Sequence, residues 1–178
     1  MSRVRAHGSR FWFRVWVKHV LPSQGSNPLD HAIAGQTPAN NSISQFQGHV
    51  LVAEDNVVNA MVIESFLNTL GLSMTLAADG LQAVKAATQG ATGETYALIL
   101  MDLHMPVMDG YEAAGQIRAW EATHKQPRRP IVALTADAFE EDRKRCQAVG
   151  MDDFLTKPIS MDALKAALCP WLSSQEVA

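Results

Sequence analysis

The sequence predicts an α/β protein: a doubly wound, five-stranded parallel sheet with helices on both faces. Two observations carry that prediction. Short apolar runs alternate strictly with helical stretches over residues 48–172, the order that a parallel sheet with right-handed crossovers produces. The runs also end in polar side chains, at Glu54 and Asp55, Asp102, Thr135 and Lys157, and ligands of such sheets bind at the carboxyl edge.

Taken in order, HVLVAED (49–55) is the first predicted strand, with VVNAMVIESFLNTLG (57–71) a helix after it. LSMTLAA (72–78) is the second strand, followed by the helix GLQAVKAATQG (80–90). YALILMD (96–102) is the third, followed by MDGYEAAGQIRAWEATH (108–124). PIVALTA (130–136) precedes the helix AFEEDRKRCQAVG (138–150), and DDFLTK (152–157) precedes SMDALKAALCPWL (160–172). The strands are short, β-rich and apolar, whereas the helices carry apolar residues at helical spacing. Gly71, Gly90 and Gly150 stand where helix C-caps are wanted. The run EEDRKR (140–145) reads as a solvated helix face with i,i+4 pairs.

Ahead of this pattern, LPSQGSNPLDHAIAGQTPANNSISQFQ (21–47) is rich in Pro, Ser, Asn, Gln and Gly and lacks a period, so 23–47 reads as a flexible linker. Residues 173–178 read as a short tail. A hydrophobic content of 47% with 19% charged residues suits a globular protein. The first twenty residues carry Arg3, Arg5, Arg10, Arg14 and Lys18 without an acid, whereas the body after Asp30 is acidic. That balance disfavours nucleic acid as a direct partner. Cys146 and Cys169 lie far from any C-x-x-C spacing, which gives neither a zinc site nor a disulfide framework and fits a cytoplasmic protein. No apolar run approaches the roughly 20 residues of a membrane helix, and Arg14, Lys18 and His19 interrupt the only segment resembling a signal peptide.

The polar strand ends converge on one edge if the fold is right. Three carboxylates crowded together repel one another unless a cation compensates. An all-oxygen, partly water-filled site suits Mg²⁺, and Lys157 adds a second positive charge. On this reading Asp102 is a metal-stabilised, reactive carboxylate. Asn59 reads as a helix-surface residue, and the imidazole of His104 as incidental.

Residues 48–172 resemble the receiver domain of two-component response regulators, on AEDNVVN (53–59), MDLHMPVMDG (101–110), ALTADA (133–138) and FLTKP (154–158). The resemblance implies a flavodoxin-like (βα)5 sheet of order 2-1-3-4-5. It implies that Asp102 accepts a phosphoryl group from a phosphohistidine, with Lys157 and Thr135 contacting that group. Asp55, Asp102 and the backbone carbonyl of His104 would ligate Mg²⁺ directly, and Glu54 through water. Thr135 and Phe154 would form a switch that changes the surface around the fourth helix, fifth strand and fifth helix. The peptide before Pro158 would be cis, and Pro106, Asp109 and Gly110 would shape the loop after Asp102. A histidine kinase or a histidine phosphotransfer protein would be the partner, with homodimer formation on phosphorylation left open. One departure is Asp137, where receivers of hybrid kinases often carry Asn; its charge is expected to alter the approach of water or donor to the pocket.

HGSRFWFRVWVKHVLP also resembles the closing segment of a histidine kinase ATP-binding domain, through Gly8, Ser9, Phe11, Phe13, Leu21 and Pro22. On that resemblance residues 1–22 are the last strand of such a domain and the chain derives from a hybrid kinase. No phosphodonor His-Glu pair, P-loop or glycine-rich nucleotide lid is found, so neither kinase activity nor a stand-alone enzyme is expected. With about six residues after the last helix, output through protein contacts is expected rather than through a following domain. Two rivals are weighed. A dehalogenase-type phosphatase wants D-x-D-x-[TV], which both acidic motifs lack. A degenerate receiver acting only as a protein-binding scaffold is disfavoured by the five pocket residues being present.

Overall fold

The structure, a computed structural model, describes residues 45–89, 96–136, 139–172 and 174–175. The proposed kinase remnant, most of the linker, Gly90 and Asp137 lie outside those residues. The chain runs β1 (Gln45–Phe46), β2 (His49–Ala53), α1 (Val57–Thr69), β3 (Ser73–Ala77), α2 (Gly80–Gln89), β4 (Leu98–Asp102), α3 (Gly110–Thr123), β5 (Ile131–Thr135), α4 (Glu140–Ala148), β6 (Asp153–Thr156), α5 (Met161–Leu168) and β7 (Ser174–Gln175).

Five strands form one parallel sheet in the order β3-β2-β4-β5-β6. Counted from β2 this is the expected order 2-1-3-4-5. Every residue of β4 and β5 is buried, as continuous apolar runs covered on both faces must be. Side chains alternate across the sheet, and the core divides accordingly. Leu51, Ala53, Ile99, Met101, Ile131 and Ala133 pack in one cluster with side chains of α2, α3 and α4. Val50, Val52, Leu98, Leu100, Val132 and Leu134 pack in the other with those of α1 and α5.

The helix ends follow local chemistry. Asn56 caps α1, its side chain accepting from the N–H groups of Val58 and Asn59 at 2.9 and 3.2 Å. Asp109 caps α3 through Glu112 N–H at 2.7 Å, and Ser160 caps α5 through Ala163 N–H at 3.2 Å. The residue before α4, Phe139, makes no side-chain cap; Glu140, Glu141 and Asp142 instead place negative charge at the positive end of the helix dipole. Gly71 and Gly150 take φ of 84° and 88° beyond α1 and α4, the left-handed conformation that ends a helix most cheaply at glycine.

One boundary differs from expectation. Gln45 and Phe46, within the predicted linker, pair antiparallel with Gln175 and Ser174 of the predicted tail. Phe46 is 1% exposed and belongs to the α1/α5 cluster, so the burial of one aromatic ring extends the folded unit past the compositional boundary.

At the amino edge of the sheet an ionic network ties α3 to the strands. Arg118 binds Glu121 at 2.6 Å and Asp152 at 2.8 Å, and Asp152 accepts the Ile131 N–H at 2.9 Å. Glu121, 4% exposed, also accepts the Arg129 N–H at 3.0 Å. Among the described residues no helix is long and apolar enough to cross a membrane.

Candidate functional site

The carboxyl ends of β2 and β4 bring Glu54, Asp55 and Asp102 together, with a carboxylate oxygen of each within 4.8 Å of the others. Glu54 is 1% exposed, Asp102 is 5% exposed and Asp55 faces solvent. Burying two carboxylates is costly unless they are paired and hydrogen-bonded. Lys157, just past the end of β6, supplies the pairing: its Nζ lies 2.7 Å from Asp102 Oδ2 and 2.7 Å from Glu54 Oε2. Burial opposes the lysine's charge, but its hydrogen bond to Asp102, its ion pair with Glu54 and the negative charges of both outweigh that effect, so its pKa stands above the ordinary 10.5.

The remaining oxygens are held by short-range polar groups. Asp102 Oδ1 accepts the His104 N–H at 3.2 Å. Glu54 Oε1 accepts from Asn59 Nδ2 at 3.0 Å and from the Asn56 N–H at 3.3 Å. Asn59 therefore positions a pocket carboxylate, which corrects its reading as a surface residue. The separation from Glu54 spans a strand end, a loop and the first turn of α1, so no periodic pattern could have announced the contact.

The loop after Asp102 is tight. Gly110 N–H donates to Leu103 carbonyl at 3.0 Å, and a side chain at Gly110 would collide with the Asp102 carbonyl oxygen. Val107 takes φ of 68° in the same loop. The Lys157–Pro158 peptide is cis.

Thr135 ends β5 and is 3% exposed; it lies one residue beyond Leu134, the partner of Asp102 across the sheet. Ala133 pairs with Phe154 on β6, so by alternation Thr135 and Phe154 share the sheet face that carries α4. Phe154 is half-buried beneath Arg143, whose guanidinium carbon is 4.1 Å from the ring centroid. Arg145 covers Tyr111 in the same way at 3.8 Å. These stacks anchor α4, whose only fully buried side chain is Cys146. The i,i+4 pair expected on this helix is present, Lys144 to Glu140 at 3.1 Å, but EEDRKR is more than a solvated face.

The donor set suits a hard divalent cation. All candidate ligand atoms are oxygens; three carboxylates meet one lysine, and buried Glu54 Oε2 accepts no aligned hydrogen bond although Lys157 lies beside it. Net negative charge and unused acceptor capacity are what such an ion requires.

A family model described as the response regulator receiver domain matches residues 50–169. The peroxide stress-activated histidine kinase mak1 of Schizosaccharomyces pombe is 44% identical over 115 residues, covering 65% of this chain and 7% of that protein. Sensor protein GacS of Pseudomonas syringae pv. syringae is 41% identical over 122 residues, covering 68% of this chain and 13% of that protein. The chain thus spans a small fraction of these relatives. Two-component system protein A of Emericella nidulans is 35% identical in an alignment that covers 95% of this chain and 24% of that protein. Among solved structures, the receiver domain of the sensor histidine kinase PA1611 of Pseudomonas aeruginosa, which has a magnesium ion in its active-site cleft, is 45% identical with a TM-score of 0.61 over 70% of this chain and 96% of that one. The complex of the Saccharomyces cerevisiae phosphotransfer protein Ypd1 with the Ssk1 receiver matches at 36% identity and a TM-score of 0.66, over 71% of this chain and 90% of that one.

Proposed function

Because the chain belongs to the response regulator receiver domain family, we propose that Asp102 is the phosphoacceptor of a two-component phosphorelay. The observation that carries this reading is the Lys157 ammonium held between Asp102 and Glu54 at 2.7 Å from each. A carboxylate oxygen of Asp102 attacks the phosphorus of a phosphohistidine. The new O–P bond forms as the N–P bond breaks, and the departing imidazole nitrogen keeps the electron pair and takes a proton from solvent. Lys157 offsets charge on the phosphoryl oxygens, and the Thr135 hydroxyl donates to one of them. Phe154, on the same sheet face, follows Thr135 inward and alters the α4 surface.

The carboxylate pocket fits Mg²⁺, which would be held by Asp55, Asp102 and the His104 carbonyl, with Glu54 acting through water. When bound, the ion supplies neutralisation of the charge that accumulates on the transferred group.

The donor is a histidine phosphotransfer protein or a histidine kinase. Support comes from the surface of α1 beside the pocket, where Val57, Val58 and Met61 are 68%, 68% and 63% exposed; apolar exposure of this kind marks a docking face. Residues 1–22 derive from the closing segment of a kinase ATP-binding domain, joined to the receiver by the predicted linker 23–47, a reading supported by the alignment that covers 95% of the chain. The module works in the cytoplasm, in keeping with two unpaired cysteines.

The test is intact mass after incubation with Mg²⁺ and acetyl phosphate, beside Asp102→Asn. Gain of one phosphoryl group by the wild type alone is expected. A folded wild type that gains none from acetyl phosphate or from a phosphorylated histidine phosphotransfer protein overturns the proposal.

A further inference from the structure

Helix α1 joins the acid pocket to the Gln45–Phe46 strand of the two-stranded ribbon. At one end of α1, Asn56 and Asn59 grip Glu54 Oε1 at 3.3 and 3.0 Å. At the other end the Leu70 carbonyl accepts the Phe46 N–H at 2.9 Å. The 13 residues between are an unbroken α-helix without glycine or proline, which moves as a body rather than bending.

The second route has the same plan. Lys157 leads through Pro158 into α5, whose Leu164 and Leu168 lie with Leu172 in the cluster that buries Phe46. Beyond it, Ser174 and Gln175 pair with Phe46 and Gln45. α1 thus ends at the Phe46 N–H, and α5 shares a buried cluster with Phe46, so both helices lead from the pocket to the same strand.

We infer that the Gln45–Phe46/Ser174–Gln175 ribbon is a strap whose closure reports the state of Asp102 to the linker. The inference rests on Asp102 being the phosphoacceptor. A phosphoryl group on Asp102 draws Lys157 Nζ toward its oxygens and away from Glu54 Oε2. Glu54 then relaxes, Asn59 and Asn56 carry α1 with it, and the Leu70 carbonyl shifts beneath the Phe46 N–H. Interfaces packed this closely respond by switching contacts rather than by stretching them. The Gln45–Phe46 strand then parts from Ser174–Gln175, and the strap opens.

Hydrogen exchange of the full chain, with and without Mg²⁺ and acetyl phosphate, tests this, and intact mass is read on the same samples. The expected result is one added phosphoryl group and exchange at the Phe46 amide faster by at least about threefold, the scale of coupling through a packed network. Amides of β4 at Ile99–Met101 should stay unchanged. Phosphoryl gain with unaltered Phe46 exchange overturns the strap and leaves the phosphoacceptor intact. Equal acceleration in β4 also overturns it, since the whole domain then loosens. Absence of phosphoryl gain defeats the phosphoacceptor reading and the strap with it.

Discussion

Lys157 Nζ stands 2.7 Å from Glu54 Oε2, a buried oxygen that accepts no aligned hydrogen bond. One ammonium therefore balances two buried carboxylates, and its loss is felt in both folding and chemistry. Lys157→Met should lower stability by about 3 kcal/mol, the cost of breaking a buried ion pair from one side. It should also slow phosphoryl uptake about 100-fold, as removal of one charge-stabilising donor does. Thermal melts should show Mg²⁺ restoring part of the stability and none of the rate. Because the folded state raises this lysine above 10.5, the stability it contributes is complete below that value. It is lost as pH climbs through the folded pKa.

Asn59→Ala removes a donor to a charged acceptor. A loss of about 1.5 kcal/mol in urea titrations is expected, and weaker Mg²⁺ binding by calorimetry should accompany it because Glu54 is no longer oriented. Retention of wild-type Mg²⁺ affinity would show that Asn56 alone orients the carboxylate.

Tyr111 is buried, and that burial, with the charges of Cys146 and Asp142 and the hydrogen bond its hydroxyl donates to Asp142 Oδ1 at 3.2 Å, pushes its pKa up to about 12. The folded state holds the phenolic proton more tightly than the unfolded chain. Stability should accordingly fall from about pH 10 toward 12. In an alkaline titration of phenolate absorbance, Tyr111→Phe should remove the step near pH 12.

Glu121→Ala should cost about 3 kcal/mol, because it deprives Arg118 and the Arg129 N–H of a buried acceptor. The network lies at the amino edge of the sheet, away from the pocket. Denaturant midpoints should fall while phosphoryl uptake by the folded protein stays at the wild-type rate.

The fold was legible because β2, β4 and β5 bury every apolar residue they carry and the helices between them keep helical spacing. The carboxylates and Lys157 were legible because each ends an apolar strand, where a charge is conspicuous. The partners of those groups were not. Asn59 contacts Glu54 across a change of secondary structure, and the arginines of EEDRKR look like solvent-facing charge until Phe154 and Tyr111 are found beneath them. Phe46 was hidden by its neighbours, since a single aromatic in a polar stretch carries no period. The salt bridges of Glu121 and Asp152 are contacts between distant segments, which composition does not encode.

The division of strand side chains between two clusters constrains how this sequence can vary. Asp102 has the same parity as Leu98 and Leu100, which point to the side of α1 and α5. Inserting or deleting one residue within β4 would leave the composition nearly unchanged, yet it would turn the carboxylate to the opposite side of the sheet, away from Lys157. The module can therefore tolerate many exchanges of one apolar residue for another along that strand, whereas a single frame-preserving codon gained or lost there would silence it.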